Sequence, residues 1–399
     1  MDAEAAATAY AELVQEGGEF EVGSVRIGSR VVPAFLRAPP TLPQYFARGF
    51  VEHRDATFIV YENERLTFGE FERRAALLAH ELMVVHDVRP GDRCAVSMRN
   101  MPEWAIAFCA ASAIGAVVVP LNSWWQMKEM EYGLSDSGAK VLVCDAERHR
   151  RAAPSLRKLG IAAIVARATA AEAVDIRAAG DVLFDDALRR SFIAGCDQAA
   201  AGGGTIQLPS VEVGPDTAAV IMYTSGTTGL PKGVVQSHRG VCDQMHMVAL
   251  GARLAERVAR ALGTTPPPHV PRQECIICPV PLFHVTGSHH IFLQCFVSGR
   301  KLCLMPKWDA GKALALIEAE RATVWTGVPT MVQDMMAHRD FASRDTSSLK
   351  IIGGGGAPSP PSKVEGVDVA FRKQRGSGRA SQGYGLTVRF EELRSGGGG

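Results

Sequence analysis

Short apolar runs alternate with amphipathic stretches over most of this chain. Runs at residues 58–61, 93–98, 116–121, 140–144 and 218–222 have strand length and end at Gly, Pro or polar residues. Similar runs recur at 276–280, 301–305, 323–326 and 349–352. Strands buried on both faces read in this way, because neither face has to be polar. Between them lie stretches of helical periodicity. Thr67 stands where it would cap a helix reaching Leu82, and Pro102 falls in the first turn of one that runs through Ala113. Further helices are expected at 126–134, 239–254, 289–297, 310–320 and 330–338. Short apolar strands between amphipathic helices predict an α/β fold, with helices packed on mixed or parallel β-sheets.

The pattern is weaker elsewhere. Residues 1–40 carry Pro33, Pro39 and Pro40, with Pro43 just beyond, which suggests an extended arm. Residues 199–204 are small and suggest a flexible stretch, and 264–271 form a Pro-rich connection. The run at 218–222 leads into Tyr223-Thr-Ser-Gly-Thr-Thr-Gly-Leu-Pro-Lys232-Gly233. Glycines let backbone N–H groups turn toward an anion, hydroxyls add donors, and Lys232 adds a full positive charge. That is a cradle for a polyphosphate. It is not a Walker A loop, because Pro231 precedes the lysine and Gly233 follows it. The sequence then predicts a polar turn at 236–240 before the next helix.

Two further stretches leave predicted strands. Pro281-Leu-Phe-His284-Val-Thr-Gly287 lies at a strand's carboxyl end, where open α/β sheets bind ligands. Gly353 to Gly356 has no side chain, so a flat or bulky group can approach the backbone.

The chain has 399 residues, enough for two or three domains, with 43 basic against 42 acidic side chains. A formal net charge of +1 gives no reason to expect nucleic acid or an anionic membrane as partner. The nine cysteines are scattered, several in strand-like runs, and read as core residues of a reducing compartment. Cys275 and Cys278 form a CxxC with no second pair at zinc spacing. The acidic start and the absence of a long apolar run predict a cytoplasmic chain without signal peptide or transmembrane segment.

The run Thr224-Ser-Gly-Thr-Thr-Gly-Leu-Pro-Lys-Gly233 resembles the phosphate-binding signature of the adenylate-forming, AMP-binding superfamily. That superfamily includes acyl- and aryl-CoA synthetases, luciferases and peptide-synthetase adenylation domains. Leu66 to Phe71, Gly91 to Val96, Asn100 to Ala105 and Gly115 to Asn122 are similar to the family's N-terminal lobe. The resemblance implies an arm at 1–45, a large AMP-binding domain at 46–387 and an unmatched tail at 388–399. It makes this chain the major part of a large N-terminal lobe, lacking the small mobile C-terminal domain with which relatives continue.

The resemblance also implies a set of site residues. Thr224, Ser225, Gly226, Thr227, Thr228, Gly229 and Lys232 would bind the ATP phosphates. Gly354, Gly355, Gly356, Ala357 and Pro358 would border the adenine, with Gln382, Gly383, Tyr384 and Gly385 completing that side. Tyr384 would stack on the ring and Thr387 would reach the α-phosphate. His284, Val285, Thr286, Gly327 and Val328 would line the acyl pocket. Lys232, His284 and Thr387 are the expected catalytic residues. Relatives carry a Mg²⁺-binding Glu where this chain has Val388, so no protein ligand to a metal is expected.

Amino-acid-activating relatives carry an Asp near His284, and none lies between Pro281 and Gly287. The expected reaction is therefore ATP-dependent activation of a medium- or long-chain fatty acid to acyl-adenylate and then acyl-CoA, impaired in this chain. The expected small-molecule partners are ATP, fatty acid and CoA, with Mg²⁺ as cofactor. The alternatives are a non-catalytic ATP- and acid-binding remnant, an aryl acid-CoA ligase, and an enzyme that loads a carrier protein.

Overall fold

The apolar runs become the centre of a parallel sheet, as expected for strands that helices cover on both faces. The computed structural model describes residues 3–202, 207–209, 211–224, 229–263 and 273–354. The chain divides into a first unit of residues 1–273 and 281–301 and a second of 274–280 and 302–399.

The first unit begins with α1 (Ala3–Val14), β1 (Val22–Ile27), β2 (Arg30–Phe35), α2 (Leu42–His53), β3 (Thr57–Tyr61), β4 (Glu64–Thr67) and α3 (Phe68–Val84). An alternating series follows: β5 (Arg93–Ser97), α4 (Pro102–Ala113), β6 (Val117–Pro120), α5 (Met127–Ser137), β7 (Ala139–Asp145), α6 (Ala146–Leu159), β8 (Ala162–Ala166), α7 (Ala170–Ala178), β9 (Val182–Leu183) and α8 (Phe184–Gly202). The unit ends with β10 (Ala218–Thr224), β11 (Lys232–Ser237), α9 (His238–Ala261), a π-helix (Thr286–Leu293) and α10 (Gln294–Ser298).

A seven-stranded sheet in the order β11-β10-β6-β5-β7-β8-β9 organises this unit. Its strands are parallel except that β11 runs antiparallel to β10. Successive side chains point to opposite faces of a strand. One set, including Ala95, Val119, Leu142, Cys144 and Val165, packs with Met130, Leu134, Leu156 and Ile176 from α5, α6 and α7. The other set lies on the side of α4, every residue of which is buried. The carboxyl ends of β5, β6 and β7 carry Asn100, Ser123 and Asp145, all buried.

Several elements follow from local chemistry. Thr67 and Glu70 form a capping box at α3, satisfying two backbone donors of the first turn. Pro102 sits in the first turn of α4, where its missing N–H costs nothing. A cluster of phenylalanines joins α2, β3 and α3 to the segment after residue 281. Phe58 stacks on Phe68 with centroids 4.1 Å apart, and Phe296 stands edge-on to Phe58 at 4.9 Å. Phe46, Phe50, Phe71 and Phe292 complete it. Burying one such ring contributes roughly 1.5–3 kcal/mol, so the π-helix and α10 are firmly anchored.

Three expectations change. Residues 3–35 form a helix and a β-hairpin, not an extended arm. Pro33 is tolerated because it lies in a two-stranded ribbon, each of whose strands has a free edge. Residues 199–202 continue α8, since alanine favours helix and supplies most of that segment. Gln236 and Ser237 belong to β11, not to a polar turn, and α9 begins directly at His238 with Ser237 as its cap.

The second unit contains β12 (Cys275–Cys278), β13 (Lys301–Leu304), α11 (Ala310–Glu320), β14 (Val324–Gly327), α12 (Pro329–Ala337) and β15 (Ile351–Gly354). Its strands run in the order β15-β14-β12-β13, with β12, β14 and β15 parallel. The eight described cysteines are buried and none forms a disulfide. Cys275 Sγ lies 3.4 Å from Cys303 Sγ, and Cys278 Sγ donates to Val280 O. The CxxC thus belongs to the interior of a sheet.

Candidate functional site

The phosphate-loop motif is the tip of a hairpin. β10 and β11 pair antiparallel, and their last partners are Thr224 and Lys232. Gly229 has φ +118°, a conformation closed to side chains. The loop end of the hairpin is tied down by α5. Tyr132 Oη donates to Pro231 O at 3.0 Å, and Tyr223 Oη donates to Asp136 Oδ2 at 2.6 Å. Burial, then the Asp136 carboxylate, raises the Tyr223 pKa, so the phenol remains a donor. Trp125 stands edge-on to the Tyr223 ring at 5.5 Å. Lys232 is exposed, and among the described residues no acidic side chain pairs with it.

His284 lies on the turn entering the π-helix. Asn100 Oδ1, after β5, accepts from Leu282 N at 2.9 Å and fixes the start of that turn. Gly287 allows it to close, because a Cβ there would meet Pro281 O at 2.2 Å. Val285 is the residue preceding the π-helix, and Thr286 N donates to His284 Nδ1 at 3.2 Å. The imidazole proton is then on Nε2, which makes the exposed ring a donor toward solvent or ligand. Desolvation by neighbouring atoms lowers the His284 pKa even so, which favours the neutral ring.

The π-helix carries residues that the sequence reading did not single out. Ser288 Oγ is 3.0 Å from His284 O and 2.8 Å from His289 Nδ1. His289 Nε2 is 3.0 Å from Gln236 Oε1 on β11. On α9, Gln244 Nε2 donates to His290 Nε2 at 3.1 Å. His289 is fully buried, and desolvation lowers its pKa to about 3, so the ring is neutral. π-Helical turns occur often at functional sites. The paired histidines directly after Gly287-Ser288 were the available sequence signal.

In the second unit, Gly327 and Gly354 are direct partners on the parallel strands β14 and β15. Val328 caps α12 in an extended conformation, with Pro329 in the first turn. Gly327 is tightly enclosed, since a Cβ would meet Trp325 at 3.2 Å and Met331 Sδ at 3.3 Å. Residues Ser225, Gly226, Thr227, Thr228, Gly355, Gly356, Ala357, Pro358, Gln382, Gly383, Tyr384, Gly385, Thr387 and Val388 lie outside the described residues.

Mg²⁺ is the metal the resemblance implies. Among the described residues no group of three His, Cys, Asp or Glu side chains could hold a metal ion. Val388, whose side chain carries no oxygen, lies outside the described residues. Among the described residues no helix is long and apolar enough to cross a membrane.

A doubly covered parallel sheet carrying a Gly/Ser/Thr-rich hairpin that ends in an exposed lysine is an α/β architecture. The AMP-binding enzyme family matches residues 46–388, and the chain belongs to it. A feruloyl-CoA synthase from Amycolatopsis sp is 32% identical over 83% of this chain and 56% of its own length. The long-chain-fatty-acid–CoA ligase FadD13 of Mycobacterium tuberculosis is 31% identical over 75% of this chain and 52% of its own. The inhibitor-bound N-terminal domain of FACL13 from Mycobacterium tuberculosis superposes with a TM-score of 0.61 at 26% identity, covering 83% of this chain and 73% of that one. The chain spans about half the length of the curated relatives it matches. The fold is that of adenylate-forming N-terminal domains, within the family of AMP-forming acid-CoA ligases.

Proposed function

We propose that this chain binds ATP and a carboxylic acid without an α-amino group, and joins them as an acyl-adenylate. The single observation that carries this reading is Lys232, exposed and without an acidic partner among the described residues, held at the neck of a hairpin whose loop sequence is rich in small donors. A carboxylate oxygen attacks the ATP α-phosphorus, a P–O bond forms, and pyrophosphate leaves with the electrons of the broken P–O bond. The thiol of CoA then attacks the acyl carbon and AMP departs. Lys232 and the loop amides hold the β- and γ-phosphates and offset charge on the leaving group; one preorganised donor of this kind is worth roughly 3 kcal/mol. His284, with its proton on Nε2, orients the carboxylate by donating to it. Thr224 and Gly229 are proposed to shape the phosphate subsite beside Lys232.

The lack of a carboxylate between Pro281 and Gly287 that could pair an ammonium group disfavours an amino acid, and we favour a fatty acid as substrate, supported by the long-chain-fatty-acid–CoA ligase among the relatives. A phenylpropanoid acid is the second reading, supported by the feruloyl- and 4-coumarate-CoA ligases among the relatives. ATP–pyrophosphate exchange with fatty acids, phenylpropanoid acids and amino acids tests both. Exchange with a fatty acid supports the first reading and exchange with a phenylpropanoid acid the second. ATP binding without exchange leaves a binding remnant.

A further inference from the structure

Of the two residues on which that reading rests, His284 is joined by a run of short contacts to Gln236, on the strand that carries Lys232. From His284 O the path goes 3.0 Å to Ser288 Oγ, 2.8 Å on to His289 Nδ1, and from His289 Nε2 3.0 Å to Gln236 Oε1. Gln236 and Lys232 are four residues apart on β11. Side chains alternate along a strand, so both project from the same face, roughly 13 Å apart. Among the described residues β11 is an edge strand that pairs with β10 alone. Hydrogen bonding within the sheet therefore restrains it from one side, and His289 holds the other end of the Lys232-bearing strand.

Proton placement in this path follows from its acceptors. Gln236 Oε1 can only accept, so His289 Nε2 carries the ring proton. Nδ1 is then an acceptor, and the single Ser288 hydroxyl proton is contested between it and His284 O. A shift of the His284 turn when an acid binds changes that competition. His289 has no solvent that could substitute, since it is fully buried. A second contact, Gln244 to His290, keeps the adjacent turn of the π-helix against α9.

We infer that this hydrogen-bonded strut couples the acid subsite to the phosphate hairpin, and that His289 is a positioning residue that makes binding of acid and ATP mutually reinforcing. The inference rests on the proposed function of Lys232 and His284. Coupling of this kind is reciprocal and commonly amounts to about 5-fold or more in affinity.

The experiment is isothermal titration calorimetry of the full chain with α,β-methylene-ATP and with dodecanoate or ferulate, each alone and each with the other present. In the unsubstituted chain each ligand should tighten the other by about 5-fold or more. His289→Leu fills the buried site but breaks the strut, and should bring that factor close to one while each ligand's affinity alone stays within about 2-fold. Gln236→Ala breaks the strut from the half-buried strand side, without touching the core, and should do the same. His289→Gln keeps an N–H for Gln236 and should retain most of the coupling. Coupling that survives in both His289→Leu and Gln236→Ala, or an unsubstituted chain that binds both ligands independently, overturns the inference and leaves the proposed function standing. A chain that binds neither ligand overturns both.

Discussion

Gly287 offers a quantitative test of how the His284 turn is built. An alanine Cβ at this position would lie 2.2 Å from Pro281 O, 2.7 Å from Pro281 C and 3.0 Å from Leu282 Cα. All three are backbone atoms, so no side chain can swing away. Restoring ordinary contact, about 3.5 Å, requires the turn to move by more than about 1 Å. Overpacking of a well-packed site costs typically 1–3 kcal/mol. The first unit holds roughly 290 residues, and an unfolding entropy of about 2.1 cal/mol/K per residue gives about 0.6 kcal/mol/K. Gly287→Ala should therefore lower Tm by about 2–5 °C, read by differential scanning calorimetry. The displaced Pro281 carbonyl also accepts from His284 N at 3.2 Å, so acid affinity should fall with stability. Gly251→Ala is the control. It sits in α9 with nothing within 4 Å of the new Cβ, and removing a helical glycine should stabilise by about 0.5–1 kcal/mol. If Gly287→Ala melts with the unsubstituted chain, the close approach does not constrain the turn and the reasoning fails.

Other outcomes follow from the same geometry. Lys232→Ala should weaken ATP binding about 10- to 150-fold, the loss of a charged hydrogen bond, with unchanged Tm because the side chain is exposed; equal affinity by calorimetry would remove Lys232 from the site. Thr67→Ala should cost about 1 kcal/mol through loss of the capping box, seen in denaturant titration of far-UV circular dichroism. Stability should fall on acidification below about pH 6.5, the ordinary histidine value. His289 has a folded pKa of about 3, so the unfolded chain binds the extra proton between those limits and stability is gained as pH rises through them. The slope is about 1.4 kcal/mol per pH unit from this group, and it should shrink in His289→Leu; an unchanged slope in that variant would show that His289 is not the group responsible. In thermal-shift assays with ATP present, fatty or phenylpropanoid acids should protect and amino acids should not; protection by an amino acid would overturn the substrate class.

Legibility in the sequence tracked how much a local pattern determined the local structure. The strands β5, β6 and β7 are buried along almost their whole length, and uniform apolar runs betray that. Thr67 and Pro102 mark helix starts through chemistry confined to one turn. β11 was only partly legible. Its residues are exposed or half-buried, and Gln236 and Ser237 have no strand signature beyond their pairing with β10. Periodicity predicts an ordinary helix from 289, where the structure has a π-helix over Thr286–Leu293. Its wider turn begins at Thr286, where Gly287 closes on Pro281, a contact that no periodicity encodes. The same holds for His289. Its partner Gln236 is 53 residues away in the chain, so only the fold shows that the two meet.

The site followed the same division. Lys232 and His284, the residues proposed for the site, stand out in the sequence because each lies in a contiguous motif next to a strand. The strut does not, because it is assembled from β11 and the π-helix. Val388 was legible as a departure at the sequence level, and it predicts that Val388→Glu should make ATP binding more dependent on Mg²⁺.

The central claim is that a carboxylate oxygen of the substrate attacks the ATP α-phosphorus. Incubation of the chain with ATP, ¹⁸O-labelled carboxylic acid and hydroxylamine as trapping nucleophile tests it most directly. Hydroxylamine attacks the acyl carbon, so the oxygen that bridged to phosphorus stays with AMP. The expected result, by mass spectrometry, is AMP carrying one ¹⁸O with an equal amount of acyl hydroxamate, lost in Lys232→Ala. Formation of ADP and phosphate, or of AMP without label, would contradict it.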